Sequence, residues 1–141
     1  MSDNKPVTFK VKYFVKDNKI IETVSFKNYN TFFSIIPNKV VLQLPIREGN
    51  KWLEGFKYKG RWVKAETIIE RVKKNDNGEI EEITTKTTIR GIKDYPNERY
   101  EEIRKYKAGE GLIYFENTLP LVSINGQKIP VGFNLSFKRV E

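Results

Sequence analysis

The sequence contains no cysteine and no histidine, and only one methionine and two glutamines among 141 residues. Without cysteine there is no disulfide and no thiolate nucleophile. Without histidine there is no imidazole base, and the usual zinc ligands are missing together. Long apolar runs are absent too: no window approaches the roughly eighteen uninterrupted apolar residues of a membrane span, and the opening "MSDNKPVTFKVKYF" has no signal-like apolar segment. The chain therefore reads as cytoplasmic, with no membrane partner. No Gly-rich phosphate loop, nucleophile elbow or metal-ligand spacing occurs, so no cofactor and no metal is expected. Scarce Cys, Met and Gln beside abundant Lys, Glu and Ile would suit a thermophile. Twelve asparagines pull the other way.

What is present is sufficient for a folded core. Hydrophobic residues make up 38% and aromatics 13% of the chain, and its length is that of a single domain spanning 1–141. The net charge of +8 is concentrated. Residues 1–64 hold 13 Lys and Arg against 5 Asp and Glu, whereas residues 65–141 hold 13 of each sign. The first stretch also carries eleven of the eighteen aromatics. Such asymmetry points to a polyanionic partner, although basic faces also serve solubility.

The dominant period is two. In "VTFKVKYFV" Val7, Phe9, Val11, Tyr13 and Val15 alternate with Thr8, Lys10, Lys12, Phe14 and Lys16, the pattern of a half-buried strand. Asp17-Asn18 supplies a two-residue turn, and "KIIETVSF" returns with Lys16 opposite Lys19 and Phe9 opposite Phe26. Residues 27–38 fit either a helical turn or an irregular crossover. A second long hairpin, "RWVKAETIIERVKK" with "EIEEITTKTTIRG", is expected to close at Asn77-Gly78 in a type I′ turn. That register sets Val72 against Ile83 and Ile68 against Thr87. "DYPNERYEEIRKYKAGEG" has helical signals: a capping Asp94, Pro96 in the first turn, Gly109 at the end, and a stripe of Tyr100, Ile103 and Tyr106. The expected class is all-β: an antiparallel β-sandwich or barrel of about nine strands with one short helix, about 95–107.

One stretch raises a functional question. "NKWLEGFKYKGRWVKAE", residues 50–66, packs two tryptophans, a phenylalanine and a tyrosine among four lysines and an arginine. Alternation puts Trp52, Phe56 and Tyr58 on one strand face and Lys51, Lys57 and Lys59 on the other. A two-residue turn at Lys59-Gly60 leaves Trp62 on the basic face beside Lys57, Lys59 and Lys64; a three-residue turn moves it to the core. Phe14 among Lys10, Lys12 and Lys16 repeats the arrangement. A flat ring among cations suits single-stranded nucleic acid, because bases stack on the ring while ammonium groups neutralise phosphates. The plainer explanation is that both rings face a second packed layer.

Glu66 and Glu70 share one strand face and Glu81 and Glu82 are neighbours, so a metal or acid pair is conceivable, but Glu82 and Glu81 stand opposite Lys73 and Lys74 in the favoured register and solvated ion pairs are the better explanation. In composition the lysine- and aromatic-rich hairpins resemble small archaeal nucleic-acid-binding modules, with no motif in common. The expected function is a non-enzymatic β-domain binding single-stranded nucleic acid with little sequence preference. Lys10, Lys12, Lys16, Lys57, Lys59, Arg61 and Lys64 would contact phosphates, and Phe14 and Trp62 would stack on bases. The alternatives are a structural or protein-interaction subunit, virus-encoded or part of an assembly, that forms a homo-oligomer or binds another protein; a barrel enclosing a small apolar ligand; and an enzyme.

Overall fold

The computed structural model describes residues 9–26, 34–36, 38–118, 121–124, 127–129 and 132–136. These residues form eleven strands, paired antiparallel throughout. They belong to two compact units, Met1–Leu44 and Pro45–Glu141. Most of the ambiguous segment 27–38 lies outside the described residues.

The first unit is a three-stranded sheet of β1 (Phe9–Lys16), β2 (Lys19–Phe26) and β3 (Lys39–Gln43), with β2 in the middle. Asp17 and Asn18 both have left-handed φ, 48° and 64°, the conformation a two-residue type I′ hairpin demands. This fixes the expected register, Phe9 opposite Phe26 and Lys16 opposite Lys19. Tyr13 donates to the buried Glu22 Oε2 at 3.0 Å across the pair.

The second unit is built on a six-stranded meander. Its strands are β4 (Lys51–Tyr58), β5 (Arg61–Lys74), β6 (Ile80–Arg90), β7 (Arg99–Lys107) and β8 (Gly111–Thr118), with β11 (Gly132–Ser136) beside β8. β9 (Val122–Ile124) and β10 (Gln127–Ile129) form a separate pair. Since β4 and β11 are its two outer strands, the sheet is open, not a closed barrel. One face buries Ala65 and Ile69 of β5, Ile89 of β6, Tyr100 of β7 and Phe115 of β8. That face also buries polar side chains in pairs: Thr67 and Thr87 hydroxyls meet at 2.8 Å, and Glu102 with Arg104 lies beside them on β7.

Three expectations are corrected. The helix expected at 95–107 is instead a single 3₁₀ turn, Pro96–Glu98, followed by strand β7. The true period there is two, with Tyr100, Glu102, Arg104 and Tyr106 all inward; the spacing of Tyr100, Ile103 and Tyr106 imitates a helical stripe because the inward positions between the tyrosines are charged. Secondly, β5 bulges at Glu70, so Ile68 stands opposite Lys86, and Thr87 faces Thr67. Thirdly, the β5–β6 connection is longer than a two-residue turn. Gly78 N–H donates to Asn75 O at 3.0 Å and Asn75 N–H to Glu79 O at 2.9 Å, and of Asn77 and Gly78 only Gly78 has positive φ. A type I turn followed by a left-handed glycine closes the hairpin.

Candidate functional site

The β4–β5 hairpin turns in two residues, with Lys59 at φ 49° and Gly60 at φ 80°. This short turn decides the fate of the aromatics. Lys57 pairs with Trp62 and Phe56 with Val63, so Trp62 emerges on the face opposite to Trp52 and Phe56. Trp52 and Phe56 are buried, and Tyr58 is half-buried against Tyr95 with ring centroids 6.4 Å apart. Trp62 is 72% exposed. Its six-membered ring lies across Gly55, where a Cβ would meet Cε3 at 3.9 Å, and Lys57 Nζ stands 5.6 Å from the ring centroid. A glycine diagonally across the strand pair gives an aromatic ring room to lie along the sheet. The indole is supported from below and offers much of its surface to solvent.

Beside the indole lies an open cleft of about 630 Å³, walled by the hairpin, the end of β6 and the connection from β6 to β7. Among the sequence-predicted residues, Lys59, Arg61, Trp62 and Lys64 line it. Arg61, opposite Tyr58, belongs by alternation to the other face of the hairpin, yet at the tip it still reaches the cleft. Two cations not expected from sequence join them, Arg90 and Lys93, both exposed. The carboxylates in the lining are Glu66 and Asp94.

The β6–β7 connection is firmly held. Gly91 and Ile92 N–H groups both donate to Glu98 O, at 2.9 and 3.1 Å, and Ile92 and Tyr95 are buried. Tyr95 stacks edge-on against Tyr100 with centroids 5.1 Å apart. Burial pushes its phenol well above the ordinary tyrosine range, and the Tyr58 hydroxyl beside it adds to the effect. From this fixed base Asp94 Oδ2 accepts from Lys59 Nζ at 2.6 Å. That hydrogen bond holds the Lys59 ammonium above the usual lysine range.

The remaining predicted residues lie in the first unit. Lys12, Phe14 and Lys16 alternate along one face of β1 and are exposed, Phe14 at 48%. Lys10 of β1 stands opposite Ser25 of β2. The carboxylates singled out as a pair on β5, Glu66 and Glu70, are both exposed, and Glu81 lies 3.9 Å from Lys73. Among the described residues no group of three or more acidic side chains has metal-holding geometry, and no helix is long and apolar enough to cross a membrane. Comparison with known proteins returns no matching family model, no matching curated protein and no matching solved structure.

Proposed function

We propose that this chain is a non-enzymatic β-domain that binds single-stranded nucleic acid with little sequence preference, in a cytoplasmic setting, through the Trp62 face of the β4–β5 hairpin and the cleft beside it. The observation that carries the reading is the state of Trp62. A large apolar ring 72% exposed, propped on Gly55, with Lys57 beside it and Lys64 and Arg90 in the same cleft lining, serves no core. An unpaired base can stack on such a ring, and its flanking phosphates can meet the cations. A duplex offers its bases only edge-on, so single strands are favoured. Lys12, Phe14 and Lys16 on β1 supply a second site of the same chemistry.

The two tryptophans make the test direct, because Trp52 is buried and Trp62 exposed. Titration of the Trp52→Phe variant with oligodeoxythymidylate in low salt should quench the remaining Trp62 emission, and added salt should reverse the quenching. Unchanged emission with every single- and double-stranded oligonucleotide would overturn the reading.

The protein-interaction reading has its own supporting observation. Among the described residues β1 is an outer strand of its sheet and exposes Tyr13, Phe14 and Val15, the last at 78%. An outer strand with apolar side chains on both faces can accept another strand along its edge. Self-association that persists in high salt and is lost in Val15→Lys would favour it.

A further inference from the structure

The Lys59–Asp94 ion pair joins two parts of the cleft wall that are 35 residues apart in sequence, the hairpin tip and the β6–β7 connection. At 2.6 Å it is a short ion pair, although both side chains are well exposed. Its two halves are mounted differently. Asp94 sits between the buried Ile92 and Tyr95, and its carbonyl accepts from Leu121 N–H at 2.7 Å. Lys59 occupies a hairpin tip and carries its charge on a flexible four-carbon stem. The carboxylate is the fixed member and the ammonium the movable one. A carboxylate held against a cation in a basic cleft occupies the same donor that a phosphate oxygen would need.

We propose that Asp94 is a built-in competitor for the polyanion: it holds Lys59 in the free protein and yields it to a backbone phosphate when nucleic acid enters the cleft. The inference rests on the nucleic-acid reading of the cleft. It makes Asp94 a determinant of affinity and salt response. Each binding event breaks one ion pair to form another, so Lys59 contributes less than an unpaired lysine at the same place. The remaining cations of the lining, Arg61, Lys64, Arg90 and Lys93, carry most of the attraction.

The test is a double-mutant cycle read by fluorescence anisotropy with a labelled oligodeoxythymidylate over a range of salt concentrations. Asp94→Asn keeps the backbone contacts and removes the charge; Asp94→Ser does the same with a shorter side chain and guards against a specific effect of the amide. Either should bind about two- to fivefold more tightly, the range that an exposed ion pair can withhold. The salt slope should steepen by up to roughly 0.7, one further neutralised phosphate on a single strand. In a Lys59→Met background the gain from Asp94→Asn should shrink, because the lysine to be released is gone. An equal gain with and without Lys59 would reduce Asp94 to a general contribution to the field and overturn the proposal. Weaker binding by Asp94→Asn would overturn it as well, showing that Asp94 positions Lys59 for phosphate. In both cases the nucleic-acid reading stands. If neither the wild type nor the Asp94 variants bind in low salt, both fall.

Discussion

Arg104 Nε donates to Glu102 Oε1 at 3.0 Å, and the two side chains are 1% and 0% exposed. They are alternate residues of β7 and therefore neighbours on the inward face of the sheet. The other carboxylate oxygen accepts from Tyr100 Oη at 2.7 Å, while Arg104 Nη1 donates to Tyr106 Oη at 3.3 Å and Asn117 Nδ2 to Tyr100 Oη at 3.2 Å. The guanidinium also lies 5.2 Å from the Phe115 ring centroid. Charge desolvation is offset here by a network, not by one contact. Glu102→Leu should therefore cost about 3 to 5 kcal/mol, because it leaves the guanidinium buried without its counter-ion. Adding Arg104→Met should restore part of that loss. Urea denaturation of both variants measures the difference; a double variant less stable than Glu102→Leu would show that the pair is not the source of the cost.

The hairpin between β5 and β6 offers a second check on stability. Gly78 has φ +79°, and a Cβ placed there meets nothing within 4 Å. Any penalty for a side chain is thus purely a backbone one. Gly78→Val should cost about 1 to 3 kcal/mol and Gly78→Asn markedly less, since asparagine tolerates the left-handed region. Equal melting temperatures for the two variants would contradict the turn geometry.

Alkaline pH should weaken the fold in a definite direction. Three groups have folded pKa values raised above their ordinary ones: Lys59 through its hydrogen bond to Asp94, Tyr95 through burial, and Tyr114 through its hydrogen bond to Glu116. In each case the unfolded chain loses the proton first. Their stabilisation is complete below the ordinary values of 10.0 for tyrosine and 10.5 for lysine, and is lost as pH climbs beyond them. Absorbance titration of tyrosinate should leave Tyr95 protonated until circular dichroism reports unfolding. Ionisation of all seven tyrosines near the ordinary value with the fold intact would contradict its burial.

How much of this could be read from the sequence depends on whether a local signal survives tertiary context. The Asp17-Asn18 turn has no competing conformation, so the whole first hairpin register follows from it. Lys59-Gly60 was ambiguous by contrast, since a two- or a three-residue turn fits the sequence, and only the observed two-residue register places Trp62 outward. β7 was illegible because its inward positions include Glu102 and Arg104; binary patterning assigns charges to the outer face, and the network that satisfies them is assembled from β8 as well as β7. Arg90 ends β6 out of phase with the buried Ile83, Thr85, Thr87 and Ile89, and nothing local to it in the sequence ties it to the distant hairpin tip whose cleft it lines. Asp94 has the sequence signal of a helix cap, and its approach to Lys59 crosses 35 residues of chain, which no local pattern reveals.

Trp62→Ala separates the functional reading of the hairpin from a structural one, because the two assign the indole different work. At 72% exposure the ring contributes little to the fold beyond its contact with Gly55 and the nearby Lys57 ammonium, so truncation should cost about 1 kcal/mol of stability or less. If bases stack on the ring, the same change should weaken oligodeoxythymidylate binding by about 1 to 3 kcal/mol. The loss should persist across salt concentrations, since stacking releases no counterions. Lys64→Ala, in the same cleft lining, should behave differently: a smaller loss in low salt that fades as salt rises, with the salt slope shallower by roughly 0.7. Anisotropy titrations of both variants at several ionic strengths, with melting temperatures measured in parallel, give the four quantities needed. A Trp62→Ala protein that melts far below the wild type would make the indole a structural cover for Gly55. One that melts normally and binds normally would remove Trp62 from the interface and leave β1, with Phe14 between Lys12 and Lys16, as the surface to test next.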